Sequence, residues 1–341
     1  MTRRARFPLA FIAAWMSLAA TACGSESVAP NAEPALLEAF DSLWTRYDRI
    51  YPYFTHKRAD WVAARSEFRP VASNARTASE LADVVRRMLA PLRDVHIWTV
   101  DPSGATVPTY TPQAFINWRR SVWEAELRQH DPRPQPGRWG YAWFGRVPYV
   151  YFESWGQDFS PAAFDVILEE FRDAPALIID VRMNAGGNDA LAFKVATRFF
   201  DQSRTFGYVR YRQGSGHDDF TPAMPRTGAP SGAWQFTKPM LLLTGRGCFS
   251  STESFTLALG ALPNVTVVGD TTGGGTGNPM TFTLAGAWTY SLPRWIEYDS
   301  DMRVIEWSGI APDRVIPASV TDFDAGRDPV IEFARAWASA R

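Results

Sequence analysis

The sequence is short of the residues on which several chemistries depend. It has two cysteines in 341 residues, Cys23 and Cys248, which provide neither a disulfide framework nor a metal-ligand cluster. Of 35 basic residues only Lys57, Lys194 and Lys238 are lysines, which restricts any mechanism that needs a lysine base. There are four histidines, His56, His96, His130 and His217. No H-E-x-x-H and no C-x-x-C occurs, so the expectation is no metal and no zinc chemistry. Gly273-Gly-Gly-Thr-Gly-Asn278 lacks the Gly-Lys-Ser/Thr of a phosphate loop. Neither charge sign is in excess. The formal net charge is −1 and the pI is near 6.5, without the basic footprint that nucleic acid requires.

What is present begins with a leader. Arg3-Arg4-Ala-Arg6 and the apolar run Phe7 to Ala22 read as a signal peptide over residues 1–22, too short to span a membrane comfortably. Ala20-Thr21-Ala22 suits cleavage before Cys23, and the cysteine in that position resembles a bacterial lipobox. Cys23 is therefore expected to be lipidated, with residues 23–34 as a polar tether. The expected location is the cell envelope, on a membrane facing the periplasm or exterior.

Residues 35–92 read as a helical unit. Leu36, Phe40, Leu43 and Tyr47 recur at helical spacing. Asp60 caps a second helix through Phe68, stopped by Pro70. Thr77-Ala-Ser-Glu80 is a capping box for a third. Alternation over Val95 to Val100 suggests a strand that carries His96. Among Trp118, Trp123, Trp139, Trp143 and Trp155, packing is expected rather than an aromatic groove. From residue 139 strands and helices alternate, which implies an α/β layer architecture. The later part is β-rich, with strands expected at Met280–Leu284, Trp288–Leu292, Trp295–Tyr298 and Met302–Trp307. Asp328-Pro329 opens a closing helix. The Gly-, Pro- and Ser-rich insertion 212–235 reads either as a loop near the site or as a surface excursion.

One stretch organises the rest. Met240 to Leu243 is a buried strand, Gly245 and Gly247 permit a turn, and Ser250 opens a helix. A serine there can be a plain helix cap, with Glu253 three residues on, or a nucleophile at a helix N-terminus. The position two after it is Thr252, so this is not the G-x-S-x-G elbow.

Four stretches in order resemble the tail-specific (C-terminal-processing) and tricorn-core serine peptidase family, which includes retinoid-binding relatives. They are Leu92-Arg-Asp-Val-His96 with Tyr51–Trp61 before it, Asp180–Gly187, Ser250–Glu253 with Val268–Gly274, and Glu306-Trp-Ser-Gly-Ile-Ala-Pro-Asp313. The resemblance implies a ClpP/crotonase-like ββα superhelix core. It places a serine peptidase catalytic domain at 93–341 beside the helical unit, with residues 101–140 too short for a PDZ domain. Gly275 stands where the tail-specific branch has its lysine, so the tricorn-like branch is implied. Carried over, Ser250 is the nucleophile, His96 the general base and Glu306 the group that orients it. The N–H groups of Gly187 and Ser251 then form the oxyanion hole. Val95 replaces the serine that precedes the histidine in tricorn proteases. The implied function is exported endopeptidase activity on peptides or proteins through an acyl-enzyme, with no cofactor. An apolar-ligand binding module or a small-molecule esterase are the alternatives.

Overall fold

Asp60 and Thr77 accept hydrogen bonds from the third residue of their helices, and the two helices start where those caps predict. The computed structural model describes residues 32–341, so the leader and Cys23 lie outside the described residues. Helix α1 (Ala32–Ile50) begins inside the expected tether, with Pro34 tolerated in its first turn. Helix α2 (Trp61–Ala72) runs past Pro70, because a proline in the last turn forfeits one hydrogen bond without ending the helix. Helix α3 (Ala78–Leu89) buries Leu81, Val85, Met88 and Leu89 as its spacing requires.

The strands, in chain order, are β1 (Trp98–Val100), β2 (Thr106–Pro108), β3 (Arg133–Gln135), β4 (Trp139–Phe144), β5 (Val147–Phe152), β6 (Leu177–Asp180), β7 (Arg204–Tyr211), β8 (Met224–Gly228), β9 (Met240–Thr244), β10 (Val265–Gly269), β11 (Met280–Thr283), β12 (Thr289–Leu292), β13 (Trp295–Asp299) and β14 (Arg314–Val315). Seven of them form the central sheet, in the order β14-β10-β9-β6-β5-β4-β3. From β14 to β5 the pairing is parallel; β5, β4 and β3 are antiparallel. Every residue of β9 is buried, as expected for a strand covered on both faces. Helices α4 (Arg120–Leu127), α5 (Pro161–Glu170), α6 (Asp189–Ala196) and α7 (Ser251–Gly260) interleave with the strands. The short α8 (Val320–Asp324) and α9 (Pro329–Ser339) close the chain. The result is an α/β fold with a helical N-terminal part, and α1–α3 share a core with Leu284, Trp288 and Tyr290 of the β-rich part.

Parallel register sets the site. Asp180 pairs with Leu243, and Thr244 with Gly269, so the loops after β6, β9 and β10 emerge side by side. Open α/β sheets place their sites at such strand ends. The loop after β6 is anchored by a buried ionic network. Arg182 donates to Asp180 Oδ2 at 2.8 Å, to Asp328 Oδ1 at 2.9 Å and to the Asn117 carbonyl at 2.8 Å. Asp328 is also the N-cap of α9, so one guanidinium ties the site loop to the closing helix. Removing one member of such a network is costly, because it leaves a charge buried without a partner.

Three further expectations are corrected. Met302–Trp307 is not a strand; Val304 makes an isolated bridge, and the chain turns through Trp307 at φ +66°. His96 sits in a turn just before β1 rather than within a strand. The insertion 212–235 contains β8, which pairs with β7 and carries Arg226 inward. The tryptophans follow the packing expectation: Trp123, Trp139 and Trp155 are buried in the core.

Candidate active site

Ser250 sits at the N-cap of α7 with φ +58° and ψ −128°. That is the conformation of the first central residue of a type II′ turn, where glycine dominates. Its side chain makes no cap hydrogen bond, so the capping-box reading of Ser250 and Glu253 does not hold. Glu253 instead turns to the loop after β10. It accepts from Thr272 Oγ1 at 2.6 Å, Gly274 N at 2.9 Å and Gly275 N at 2.8 Å. Gly275 then accepts from Ser250 N at 2.9 Å. Burial pushes the Glu253 carboxyl up to about 7, while the three donors pull it down. Glu253 thus holds the loop that holds the serine. Gly186 lies against the serine; a Cβ on it would meet Ser250 Cβ at 2.8 Å.

Ser250, Ser251, Gly187 and His96 line one cleft of about 610 Å³. The cleft is completed by Trp98, Thr276, Trp295, Asp189, Ser254 and Glu297. Gly187 forms an isolated bridge with Trp155 in which Trp155 N donates to Gly186 O and Asn188 N donates to Trp155 O. That pattern leaves the Gly187 N–H without a partner among the described residues. Ser251 is the first residue of α7, where an N–H has no intrahelical acceptor. Two free N–H groups therefore flank the serine, one at a helix N-terminus.

His96 is buried, and its Nδ1 has no hydrogen-bond partner. Its backbone is fixed: the N–H donates to Asp94 Oδ1 at 2.8 Å, and Ser291 Oγ donates to its carbonyl at 2.7 Å. Burial pushes the imidazole below its usual range; Asp94 opposes the shift and Lys57 adds to it. Burial thereby favours the neutral ring, the form a general base needs. The other histidines are engaged elsewhere. His217 faces Asp48 at 2.9 Å, His130 faces Glu126 at 3.2 Å, and His56 lies 3.2 Å from the Glu306 carbonyl.

Glu306 is buried in the turn after β13, but its carboxylate is not on the imidazole. Oε1 accepts from Lys57 Nζ at 2.5 Å, and Oε2 accepts from Thr276 N at 3.1 Å. Burial and the neighbouring Asp94 raise its pKa, and Lys57 opposes them. The sequence-based orienter is therefore close to the site yet held by a lysine. The sequence does not single out Lys57, because the tail-specific pattern places its lysine after the nucleophile helix. Its signal was position: it lies within Tyr51–Trp61, one of the stretches that carried the resemblance. Arg226 was also missed. It reaches Ser254 Oγ at 2.6 Å, Asp189 Oδ2 at 2.6 Å and the Glu297 carboxylate, forming a polar cluster with three residues of the cleft wall. Cys248 is buried, and burial pushes its thiol up, which leaves it inert.

The family model described as Peptidase family S41 matches residues 146–316, just over half of the chain. The chain belongs to peptidase family S41. It is a serine-type peptidase. A second model, the Tricorn protease C1 domain, matches residues 33–90, which cover α1 to α3. Between the S41 match and the C1 match lies His96. The fold is similar to that of a candidate peptidase from Parabacteroides merdae, with a TM-score of 0.77, 28% identity, and coverage of 88% of this chain and 95% of that one. A lipoprotein from Streptococcus agalactiae shares the fold with a TM-score of 0.61 at 16% identity, covering 89% and 96%. The photosystem II D1 C-terminal processing protease does so with a TM-score of 0.55 at 13% identity, covering 87% and 98%. No curated protein matches the sequence significantly.

Proposed function

We propose that this S41 peptidase is an exported endopeptidase that cleaves peptide bonds through an acyl-enzyme on Ser250. The observation that carries the reading is the cleft itself. Its lining brings together a strained serine, a buried imidazole whose charged form burial disfavours, and two N–H groups without a partner among the described residues. His96 takes the Ser250 proton as Oγ attacks the scissile carbonyl. The developing oxyanion is met by the N–H groups of Gly187 and Ser251. His96 then returns the proton to the leaving amine, and water releases the acyl group by the same route. Asp94 supplies the negative charge that favours the imidazolium, and Glu306 stays paired with Lys57 beside it. The leader and Cys23 support export and a lipid anchor, and the similar streptococcal lipoprotein agrees with that reading.

A fluorophosphonate probe tests the chemistry. The wild type is expected to be labelled at Ser250, with labelling lost in Ser250→Ala and His96→Ala and retained in His217→Ala. Persistent labelling of Ser250→Ala, or a folded wild type that never labels, would remove the acyl-enzyme reading. A folded, unlabelled protein that binds apolar ligands would favour the binding module, and turnover of esters but not peptides would favour the esterase. Export is tested separately with a fatty-acid label in cells. Incorporation is expected in the full chain and lost in Cys23→Ser; an unlabelled, freely secreted full chain argues against the anchor.

A further inference from the structure

Lys57 is a buried cation whose own chemistry the proposed reaction does not use. Its side chain is fully buried, and Nζ lies 3.1 Å from Asp94 Oδ2 and 2.5 Å from Glu306 Oε1. The rings of Tyr53 and Trp307 close over it, 5.4 and 5.2 Å from Nζ. An ammonium survives in such a place only when paired. Both of its partners also grip the cleft. Asp94 Oδ1 accepts the backbone N–H of His96 at 2.8 Å, and Glu306 Oε2 accepts the N–H of the cleft residue Thr276 at 3.1 Å. One lysine, brought from the connection between α1 and α2, thus ties together the anchors of His96 and Thr276, two residues of the cleft.

We propose that Lys57 is a positioning residue of the hydrolytic reaction, locking Asp94 and Glu306 behind His96 and setting the net charge the imidazole meets. The proposal rests on His96 being the base. The charged groups acting on the ring are Asp94 on its own turn and Lys57 from the helical unit, and Glu306 from the turn after β13 joins them through its ion pair with Lys57. Glu297 lines the same cleft from β13. Tyr51 and Tyr53 face the same cluster; Tyr51 donates to Asp94 Oδ2 at 2.8 Å, and burial keeps both phenols neutral. With Lys57 in place, its positive charge offsets one of the two carboxylates. Without it, Asp94 favours the imidazolium unopposed, so deprotonation of His96 requires a higher pH.

The test is the rate of fluorophosphonate labelling as a function of pH. Lys57→Met is expected to label at least about tenfold more slowly on the plateau, with its acid limb moved up by about one pH unit. Lys57→Arg keeps the charge and is expected to keep the limb at the wild-type position, whatever happens to the plateau. A folded Lys57→Met with an unmoved limb overturns the proposal, since a merely structural lysine would lower stability without moving that limb. If Lys57→Met does not fold, Lys57→Met/Glu306→Gln is compared with Glu306→Gln. A higher limb in the double variant supports the proposal, and coincident limbs overturn it. A wild type without labelling defeats the reading of the site itself. A wild type whose limb is abolished by His96→Ala, but is unmoved by Lys57→Met, defeats only the role of Lys57.

Discussion

Ser250→Gly is expected to abolish hydrolysis and to raise stability, while Ser250→Ala abolishes hydrolysis and leaves stability near that of the wild type. The activity loss should reach about 10³ to 10⁶ in kcat, the range for removing an activated serine nucleophile. The stability difference follows from the backbone. At φ +58° and ψ −128°, Ser250 holds a conformation that a Cβ makes strained, and such strain costs roughly 1–3 kcal/mol. Alanine keeps the Cβ and keeps the strain. Glycine relieves it but gives back roughly 0.5–1 kcal/mol in the greater freedom of its unfolded chain. The net gain for glycine over alanine is about 1 kcal/mol, read by denaturant or thermal unfolding. Equal stability of the two variants would show that the strain is not stored at this residue. Residual hydrolysis at the wild-type rate in either would remove Ser250 as the nucleophile.

The strain has an identifiable support. Ser250 N donates to Gly275 O, the Gly275 and Gly274 N–H groups donate to Glu253, and Gly186 gives the side chain room. The conformation is over-determined from three sides, which is the condition under which a strained residue persists.

Gly187→Ala is the second large effect. Gly187 has φ +139°, and a Cβ there would meet the Trp155 carbonyl oxygen at 2.4 Å, a backbone atom that cannot swing aside. The loop must shift, and the unpartnered N–H of this cleft residue shifts with it. Loss of one oxyanion donor is expected to lower kcat by about 10² to 10³, with a smaller change in KM because the donor acts on the developing charge. Gly145→Ala is the control. Gly145 also has positive φ, at +65°, but nothing lies within 4 Å of the added Cβ, and it sits in the β4–β5 hairpin away from the cleft. It should lose about 1 kcal/mol of stability and no activity. If Gly187→Ala retained full kcat, the Gly187 N–H would not be an oxyanion donor.

Local signals accounted for much of the fold. The caps at Asp60, Thr77 and Asp328 start helices where expected, and strands and helices alternate from residue 139 as expected, because each depends on neighbours within a few residues. The errors fell where a distant partner decided the conformation. Pro70 is the local exception, since a proline in the last turn forfeits one hydrogen bond without ending α2. Met302–Trp307 turned instead of extending, because Trp307 N donates to Gly274 O and Trp307 Nε1 to the Arg93 carbonyl. Neither acceptor is within thirty residues of it.

The site divides in the same way. Residue type and order in the chain determined which serine, which histidine and which glycine to examine, since a nucleophile, a base and a close backbone approach each demand a particular chemistry. They could not determine the partner of each carboxylate. Glu253 has the spacing of a helix cap but serves the loop after β10. Glu306 has the place of an orienter but binds Lys57, a residue 249 positions earlier in the chain. Spacing governs contacts made within a turn of helix or across a tight loop. Pairing between buried charges is governed by which segments the packed core brings together, and only the tertiary structure brings Lys57 to Asp94 and Glu306 beside His96.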